Sequence, residues 1–205
     1  MIPAPTPRLR FREMTHDDLD AMAALLGDAE VMAYYPAPKT RQEALAWIDW
    51  NQRNYAEHGH GLWVIETHDG EFVGDCGLTW QPVNESTKLE VGYHVRRDRQ
   101  GQGYATEAAG ACRDFARDVL GATELVAIIH PANVASRRIA EKIGMRHVDD
   151  TTGSRGTHTV MAWNFASRTS TGCEQADRGV GARTVRRGRR RPGELSPECA
   201  DGAAC

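Results

Sequence analysis

Residues 87–95 alternate like a strand and run, past Arg96, Arg97 and Arg99, into Gln100-Gly101-Gln102-Gly103-Tyr104-Ala105. A helical repeat follows. On one face it carries Ala105, Ala108, Ala109, Cys112, Phe115, Ala116 and Val119, and it stops at Gly121. A helix so shallow on one side can lie close against a sheet, which points this half of the chain to a layered α/β arrangement. The two glycines let backbone approach a ligand, and the helix presents unsatisfied N–H groups and the positive end of its dipole. Together they make an anion site suited to phosphate or pyrophosphate, and the three arginines can add charge. Glycine spacing of this kind serves plain strand-to-helix turns about as often, so the rest of the chain has to decide.

The elements before this segment read in order. Residues 8–14 alternate Leu9 and Phe11 with arginines, as an edge strand does. Thr15 offers an N-cap to a helix carrying Leu19, Met22, Ala23 and Leu26 up to Gly27. After a Tyr-Tyr-Pro-Ala-Pro loop, Thr40 and Glu43 form a capping box for a helix to about Glu57, with Trp47, Ile48, Trp50 and Tyr55. Residues 62–67 and 71–80 read as strands joined through Asp69-Gly70, and a looser loop at 82–86 leads into the strand at 87–95. Beyond Gly121, Leu125 to Ile129 is a short buried-type strand, and Asn133 caps a helix through Ile143 with Gly144 as its stop. Residues 146–150 and 159–165 close the pattern as two strands, and no internal repeat appears. The expected class is α/β (α+β), built around one sheet.

Composition bounds the partners. Apolar residues are 40% of the 205, a globular level, and no stretch nears the roughly 20 unbroken apolar residues of a membrane helix. Residues 1–10, with three prolines and no apolar run, do not read as a secretory signal. Cys76, Cys112, Cys173, Cys199 and Cys205 are an odd number with no C-x-x-C pair, which argues against a disulfide framework or a zinc ribbon. A reduced, cytoplasmic protein without a metal is expected. The net charge of −3 divides unevenly: 17 basic against 23 acidic residues in 1–165, eight arginines against five acids in 166–205. The last forty residues contain no aromatic, no isoleucine and one leucine, too little apolar surface to offset their ordering entropy. The expected organisation is a domain over 1–165 and an Arg-rich, disordered tail over 166–205. Residues 178–191 hold seven arginines and no acid, which a functional reading makes a nucleic-acid or anionic-surface arm. A solvated tail is the favoured reading, because no aromatics interleave to stack bases.

Two nucleotide motifs fail at the glycine segment. A P-loop places Lys and Ser/Thr after its second glycine, where Tyr104-Ala105 stands. A dinucleotide fingerprint needs Gly or Ala at Thr106 and an acid ending the next strand, which ends in Ile129-His130. The pyrophosphate motif Q/R-x-x-G-x-G/A of the GNAT superfamily of acyl-CoA-dependent N-acyltransferases does match, at Gln100, Gly103 and Ala105. T-P-R-L-R-F-R-E-M-T-H-D-D, L-E-V-G-Y, G-Q-G-Y-A-T-E-A and N-V-A-S-R-R-I-A-E-K-I-G-M resemble, in order, the branch containing ribosomal-protein N-terminal acetyltransferases. The resemblance spans residues 7–165. It implies a mixed, mostly antiparallel central sheet with helices on both faces.

Acyl transfer from a thioester to an amine needs a neutral amine, a polarised carbonyl and a thiolate that gains a proton. An amine of pKa about 8 to 10 is mostly ammonium at neutral pH, so a base must take its proton. In Lys88-Glu90-Gly92-His94, Glu90 faces away from Leu89, Val91 and Tyr93. The resemblance implies that Glu90 sits at the acceptor site and takes that proton directly or through water; a salt-bridged strand carboxylate is the plainer alternative. Asn133 and Ser136 share one helix face. The resemblance implies that Asn133 contacts the pantetheine arm and that Ser136 protonates the thiolate, a role many relatives give to tyrosine. The plainer alternatives are an N-cap and an exposed helical serine. It further implies that acyl-pantetheine runs beside Val91, Tyr93 and Val95, where a backbone N–H polarises the carbonyl. The pyrophosphate would lie over Gln100, Gly101, Gln102, Gly103, Tyr104, Ala105 and Thr106.

Other residues weigh less. His58 and His60 lack the further ligands of a metal site. Cys112 falls on an apolar face, and Cys76 has no adjacent base. One of Trp47 and Trp50 is expected in the core, the other beside Tyr34 and Tyr35 at the acceptor cleft; Glu107 and Arg137 carry no firm role. The expectation is an enzyme that transfers acetyl from acetyl-CoA to a primary amine, a protein N-terminus or a small molecule, by direct attack in a ternary complex. It would act as a monomer or homodimer, with no membrane and no nucleic-acid partner. The alternatives are a non-catalytic acyl-CoA-binding domain, against which Glu90 and Ser136 both count, and nucleic-acid binding through the tail.

Overall fold

Seven strands, β1 (Leu9–Arg12), β2 (Leu62–Thr67), β3 (Phe72–Val83), β4 (Ser86–Val95), β5 (Glu124–Ile129), β6 (Arg146–Gly153) and β7 (Gly156–Asn164), form one sheet in the order β1-β2-β3-β4-β5-β7-β6. Every neighbouring pair is antiparallel except β4 and β5, which run parallel. The computed structural model describes residues 1–153 and 156–165; the Arg-rich segment 166–205 lies outside the described residues. Four helices cover the sheet: α1 (Leu19–Leu26), α2 (Arg41–His58), α3 (Tyr104–Asp118) and α4 (Val134–Lys142).

Strand alternation sends side chains to two cores. Trp63 and Ile65 of β2 join Leu78, Val91 and Tyr93 beneath Ala108, Ala109, Cys112 and Phe115 of α3. Leu62 and Val64, one residue out of phase, meet Met22, Leu25 and Leu26 of α1 and Trp47 and Ile48 of α2 on the opposite face. Ala108, Ala109, Cys112 and Ala116 of α3 are fully enclosed, whereas Val119, expected on the same face, is exposed at the helix end. Cys112 Sγ lies 3.6 Å from Cys76 Sγ of β3. The start of α2 is fixed as its sequence predicts. Thr40 Oγ1 accepts from Glu43 N at 3.2 Å, and Glu43 Oε2 accepts from Thr40 N at 2.7 Å. A glycine decides how closely β3 meets β4: a Cβ on Gly74 would stand 2.0 Å from the His94 carbonyl oxygen, so only a bare Cα fits there.

One boundary differs from the sequence expectation. The loop expected at 82–86 is strand almost throughout, with β3 running to Val83, β4 starting at Ser86, and Asn84 at φ 52° in the turn. Pro82 is tolerated because β2 pairs with β3 only as far as Gly77, which leaves Pro82 facing β4 alone and its other edge unpaired. The hairpin tip curls onto β6, where Asn84 Nδ2 donates to Asp149 Oδ2 at 2.9 Å. Val83, Val126, Ile128, Val160 and Ala162 form a third apolar cluster.

Candidate active site

The parallel pair is where the sheet is least complete. β4 and β5 share one bridged pair, Glu90 with Val126, and the N–H of Ile128 is satisfied by Glu90 Oε1 at 3.1 Å, not by a backbone carbonyl of β4. Beside this break, toward the end of β4, lies a cleft of about 330 Å³ bounded by β4, the segment after it, the first turn of α3 and the face of α4.

The glycine segment forms one wall. Gly101 and Gly103 adopt φ 75° and 86°, conformations that side chains disfavour. A Cβ on Gly101 would meet nothing within 4 Å, and one on Gly103 only Arg8 Nη2 at 3.4 Å, so the room above this backbone belongs to the cleft. Glu107 is the first residue of α3 whose N–H closes onto the chain, at Gly103 O; the N–H groups of Tyr104, Ala105 and Thr106 precede it in the first turn. The segment is anchored from behind. Gln100 Nε2 donates to Val95 O at 3.0 Å, Gln102 Nε2 to Asp98 O at 3.0 Å, and Arg8 Nη1 to Gln102 O at 2.9 Å. Glu107, given no role by its sequence context, holds Arg8 and accepts from Thr6 Oγ1 at 2.6 Å. Burial works against its charge, but the bonds from Thr6 and Arg8 outweigh it and hold the carboxyl below the ordinary carboxylate range.

Of the residues predicted from sequence, Tyr93, Val95, Gln100, Gly101 and Gly103 line the cleft, together with Tyr104, Ala105, Thr106, Asn133 and Ser136. Val91 is enclosed in the core under α3, and Gln102 turns its side chain toward Asp98. Arg99 lines the cleft while its guanidinium pairs with Glu71; Arg97 pairs with Glu30 at 2.8 Å and Arg96 with Asp98 at 2.8 Å. Arg138 and Lys142 of α4 add two cations that sequence reading did not single out. They lie one helical turn apart and share a helix face with Ala135 and Ile139, which also line the cleft.

The two polar groups on α4 prove closely coupled to β4. Asn133 Oδ1 caps the helix by accepting from Ser136 N at 2.9 Å. The fully buried Ser136 Oγ lies 2.9 Å from the Tyr93 hydroxyl, which also donates to Ser136 O at 3.1 Å. A hydroxyl pair therefore stands at the cleft wall.

Glu90 is placed differently. Its side chain is wholly enclosed at 0% exposure, bonded to Ile128 N–H, and does not line the cleft. His94, two residues along on the same face of β4, is among the lining residues, though its side chain is as enclosed as that of Glu90. His94 Nδ1 lies 2.7 Å from Asp75 Oδ1, and its Nε2 lies 3.0 Å from the Tyr35 hydroxyl. Sequence reading missed this group because Asp75 and His94 meet only through the β3–β4 register, where they are direct partners. At the mouth, the Tyr34 ring sits 5.3 Å from His130, which is 5.8 Å from His158. Trp47 is the tryptophan in the core; Trp50 packs on it with ring centroids 5.1 Å apart and does not line the cleft. Cys76 is inert: burial, then the neighbouring Cys112, push its thiol well above the ordinary value. His60 Nδ1–H donates to Leu78 O at 2.9 Å, and His58 stacks beside it.

One cleft thus holds a parallel-strand break, a glycine turn at a helix N-terminus and a hydroxyl pair. The family model for acetyltransferase (GNAT) domains matches residues 8–146. The chain belongs to the GNAT acetyltransferase family. This GNAT enzyme is 38% identical over 161 residues to an uncharacterized protein, YkkB, of Bacillus subtilis, covering 78% of this chain and 88% of that one. Its fold resembles an acetyltransferase from Agrobacterium tumefaciens at a TM-score of 0.70 and 24% identity, covering 80% of this chain and 95% of the other. It also resembles a ribosomal L7/L12 α-N-protein acetyltransferase in complex with coenzyme A, at a TM-score of 0.67 and 14% identity, covering 80% and 98%. GNAT enzymes move acetyl from acetyl-CoA to amines, and the residues of this cleft fit such a donor. The bare Gly101–Gly103 backbone and the α3 N-terminus suit a pyrophosphate, and Arg138 and Lys142 suit further phosphate charge. No helix among the described residues is long and apolar enough to cross a membrane.

Proposed function

We propose that this enzyme acetylates a primary amine, either a peptide N-terminus or a small molecule, by direct attack on acetyl-CoA in a ternary complex. The observation that carries the reading is the cleft itself, which joins the glycine turn to the Tyr93–Ser136 hydroxyl pair beside the β4–β5 break. Bound acetyl-CoA supplies the thioester carbonyl and the leaving sulfur. Gln100, Gly101, Gln102, Gly103, Tyr104, Ala105 and Thr106 hold its pyrophosphate, and Asn133 contacts the pantetheine arm. Backbone N–H groups near Tyr93 and Val95 polarise the carbonyl. Ser136, coupled to Tyr93, gives its proton as negative charge grows on sulfur.

An ammonium nitrogen gives up two protons on its way to an amide. Glu90 is the proposed base for one of them. Because its side chain is enclosed, it acts through water and not by contact. The fold likeness to an N-terminal acetyltransferase supports a peptide acceptor, and the acidic balance of residues 1–165 favours the approach of cations. The test is a panel of amines and peptide N-termini incubated with acetyl-CoA, read by free-thiol release and by product mass. A gain of one acetyl group on a primary amine is expected. Thiol release by hydrolysis alone, with every amine unmodified, would overturn the reading.

A further inference from the structure

The ammonium must lose its first proton before it attacks, and Glu90, expected from the sequence to take it, is enclosed and does not line the cleft. We propose that His94 takes this proton, relayed by the Tyr35 hydroxyl and held by Asp75. The inference rests on the amine-acetylation reading above and deepens it.

The geometry is that of a prepared imidazole. Asp75 Oδ1 accepts from the His94 backbone N–H at 3.0 Å and faces Nδ1 at 2.7 Å. Asp75 Oδ2 accepts from Trp47 Nε1 at 3.2 Å. This carboxylate is fully enclosed and fixed by three partners on two elements, so it fixes the imidazole in turn. With Nδ1–H directed at Asp75, the other nitrogen is the basic one, and it faces the Tyr35 hydroxyl at 3.0 Å. Tyr35 is half-buried and does not itself line the cleft described above; it follows Tyr34, which does, in the connection between α1 and α2.

The transfer balances without a further reactant. The Tyr35 oxygen takes a proton from the bound ammonium while the Tyr35 O–H proton passes to His94 Nε2. The products are a neutral amine and an imidazolium whose charge is opposed by Asp75. The amine then forms the C–N bond and the C–S bond breaks. The second N–H proton leaves through water to Glu90, the hydroxyl pair protonates the sulfur, and Glu90 returns its proton through water to the hydroxyl pair. His94 returns its proton to solvent by the reverse path, so the net release is one proton. The charged or titratable groups around this histidine come from every packed element: Asp75 from β3, Glu90 from its own strand, and Tyr35 and Glu30 from the α1–α2 connection. Lys39 lies over the Trp47 ring at 5.3 Å, and Arg99 lines the cleft beyond the end of β4. The hydrogen-bonded group of Asp75, His94 and Trp47 also ties α2 to the sheet, so a structural role alone must be told apart.

The experiment compares the full-length wild type with His94→Gln, Tyr35→Phe and Glu90→Gln, using one primary amine that the wild type acetylates. Rates are taken from pH 5.5 to 9.5, with acetyl-CoA affinity by calorimetry. The expected wild-type kcat/KM rises with pH to a plateau set by a base of histidine type, ordinarily near 6.5. His94→Gln is expected to lose roughly 100-fold in kcat near pH 7 and then to gain tenfold per pH unit up to the amine's own pKa. Its acetyl-CoA affinity should stay within about threefold. Tyr35→Phe should show the same displaced profile with a smaller loss, roughly 10-fold to 100-fold. Glu90→Gln should lower the plateau without moving the limb. Variants of His94 and Tyr35 that keep the wild-type limb would overturn the proposal. Absence of amine acetylation by the wild type would overturn the broader reading instead. A second measurement is independent of turnover: imidazole nitrogen NMR should show His94 as the Nδ1–H tautomer at high pH, gaining a proton on Nε2 as pH falls. A His94 that keeps one protonation state from pH 5 to 9 would refute the relay.

Discussion

Replacing Gly103 by valine tests the phosphate cradle at the point where backbone geometry, not side-chain chemistry, makes the site. Gly103 sits at φ 86°, where an L-residue costs roughly 1–2 kcal/mol and a β-branched one more. Space is not the obstacle, because the new Cβ would meet only the movable Arg8 guanidinium at 3.4 Å. The chain instead escapes by rotating to negative φ, which swings the N–H groups of Gly103 and Tyr104 off the cleft. Two hydrogen bonds to a charged phosphate are worth about 1.5–3 kcal/mol each, so affinity should fall by roughly 10²- to 10⁴-fold. The fold should survive, because α3 is held by its enclosed small face and by Glu107. A strain of about 1–2 kcal/mol lowers the thermal midpoint by roughly 2–8 °C. Calorimetry with acetyl-CoA, beside a thermal melt, gives both numbers. A folded variant that binds acetyl-CoA as tightly as wild type would show that these amides do not hold the pyrophosphate.

Three further outcomes follow from named contacts. Ser136→Ala should lower kcat by roughly 10-fold to 100-fold, less at high pH, because a thiolate of pKa near 8.5 can depart unprotonated. Its acetyl-CoA affinity should change little, and loss of affinity at constant kcat would make Ser136 a binding residue. Asn51→Ala removes the acceptor for Leu62 N–H at 2.8 Å and the donor to Trp47 O at 3.0 Å, both buried. The expected cost is about 2–4 kcal/mol, seen as a midpoint roughly 5–15 °C lower in a thermal melt; an unchanged midpoint would refute it. Burial holds His60 below the ordinary histidine value despite its bond to Leu78, so its neutral form is the one that folds. The unfolded chain takes up that proton first, so stability should decline as pH falls below about 6.5. Urea melts at pH 7.5 and 5.5 should show a smaller decline for His60→Gln, and an equal one would refute the assignment.

How much of this was legible in the sequence depends on the range of each cause. The start of α2 was readable because Thr40 and Glu43 act over three residues, and the α3 face because small residues recur at a helical period. The glycine cradle was readable for the same reason. The pairing of Asp75 with His94 was not. Paired positions of β3 and β4 sum to 169, from Gly74 with Val95 to Val83 with Ser86, which centres the turn between Asn84 and Glu85. A five-residue loop at 82–86 leaves that centre, and hence the register, undefined. A shift of one residue would set Asp75 opposite Tyr93 in place of His94. Arg138 and Lys142 were hidden differently, since exposed cations on a helix read as solvated surface until a facing wall makes them part of a cleft. The position of β7 between β5 and β6 carries no local signal, because strand order follows from which edges remain to be covered.

The same alternation explains why one short strand can serve both ends of an acyl transfer. Tyr93 and His94 are neighbours in sequence, yet Tyr93 turns to α4 and meets Ser136, and His94 turns to α2 and meets Asp75. A proton donor for sulfur and a proton acceptor for nitrogen must not meet, or they exchange protons with each other and cancel. Two consecutive residues of an extended strand satisfy that requirement automatically, since their side chains leave on opposite faces. Inside an intact sheet the two faces would never share a ligand. They share one here because β4 and β5 keep a single bridged pair, so a cleft beside that break is lined by Tyr93 and His94 together. In this arrangement the enclosed Glu90 carboxylate has a structural consequence as well as its proposed chemical one. By satisfying Ile128 N–H in place of a β4 carbonyl, it stabilises the incomplete pairing that lets both faces of the strand reach one substrate.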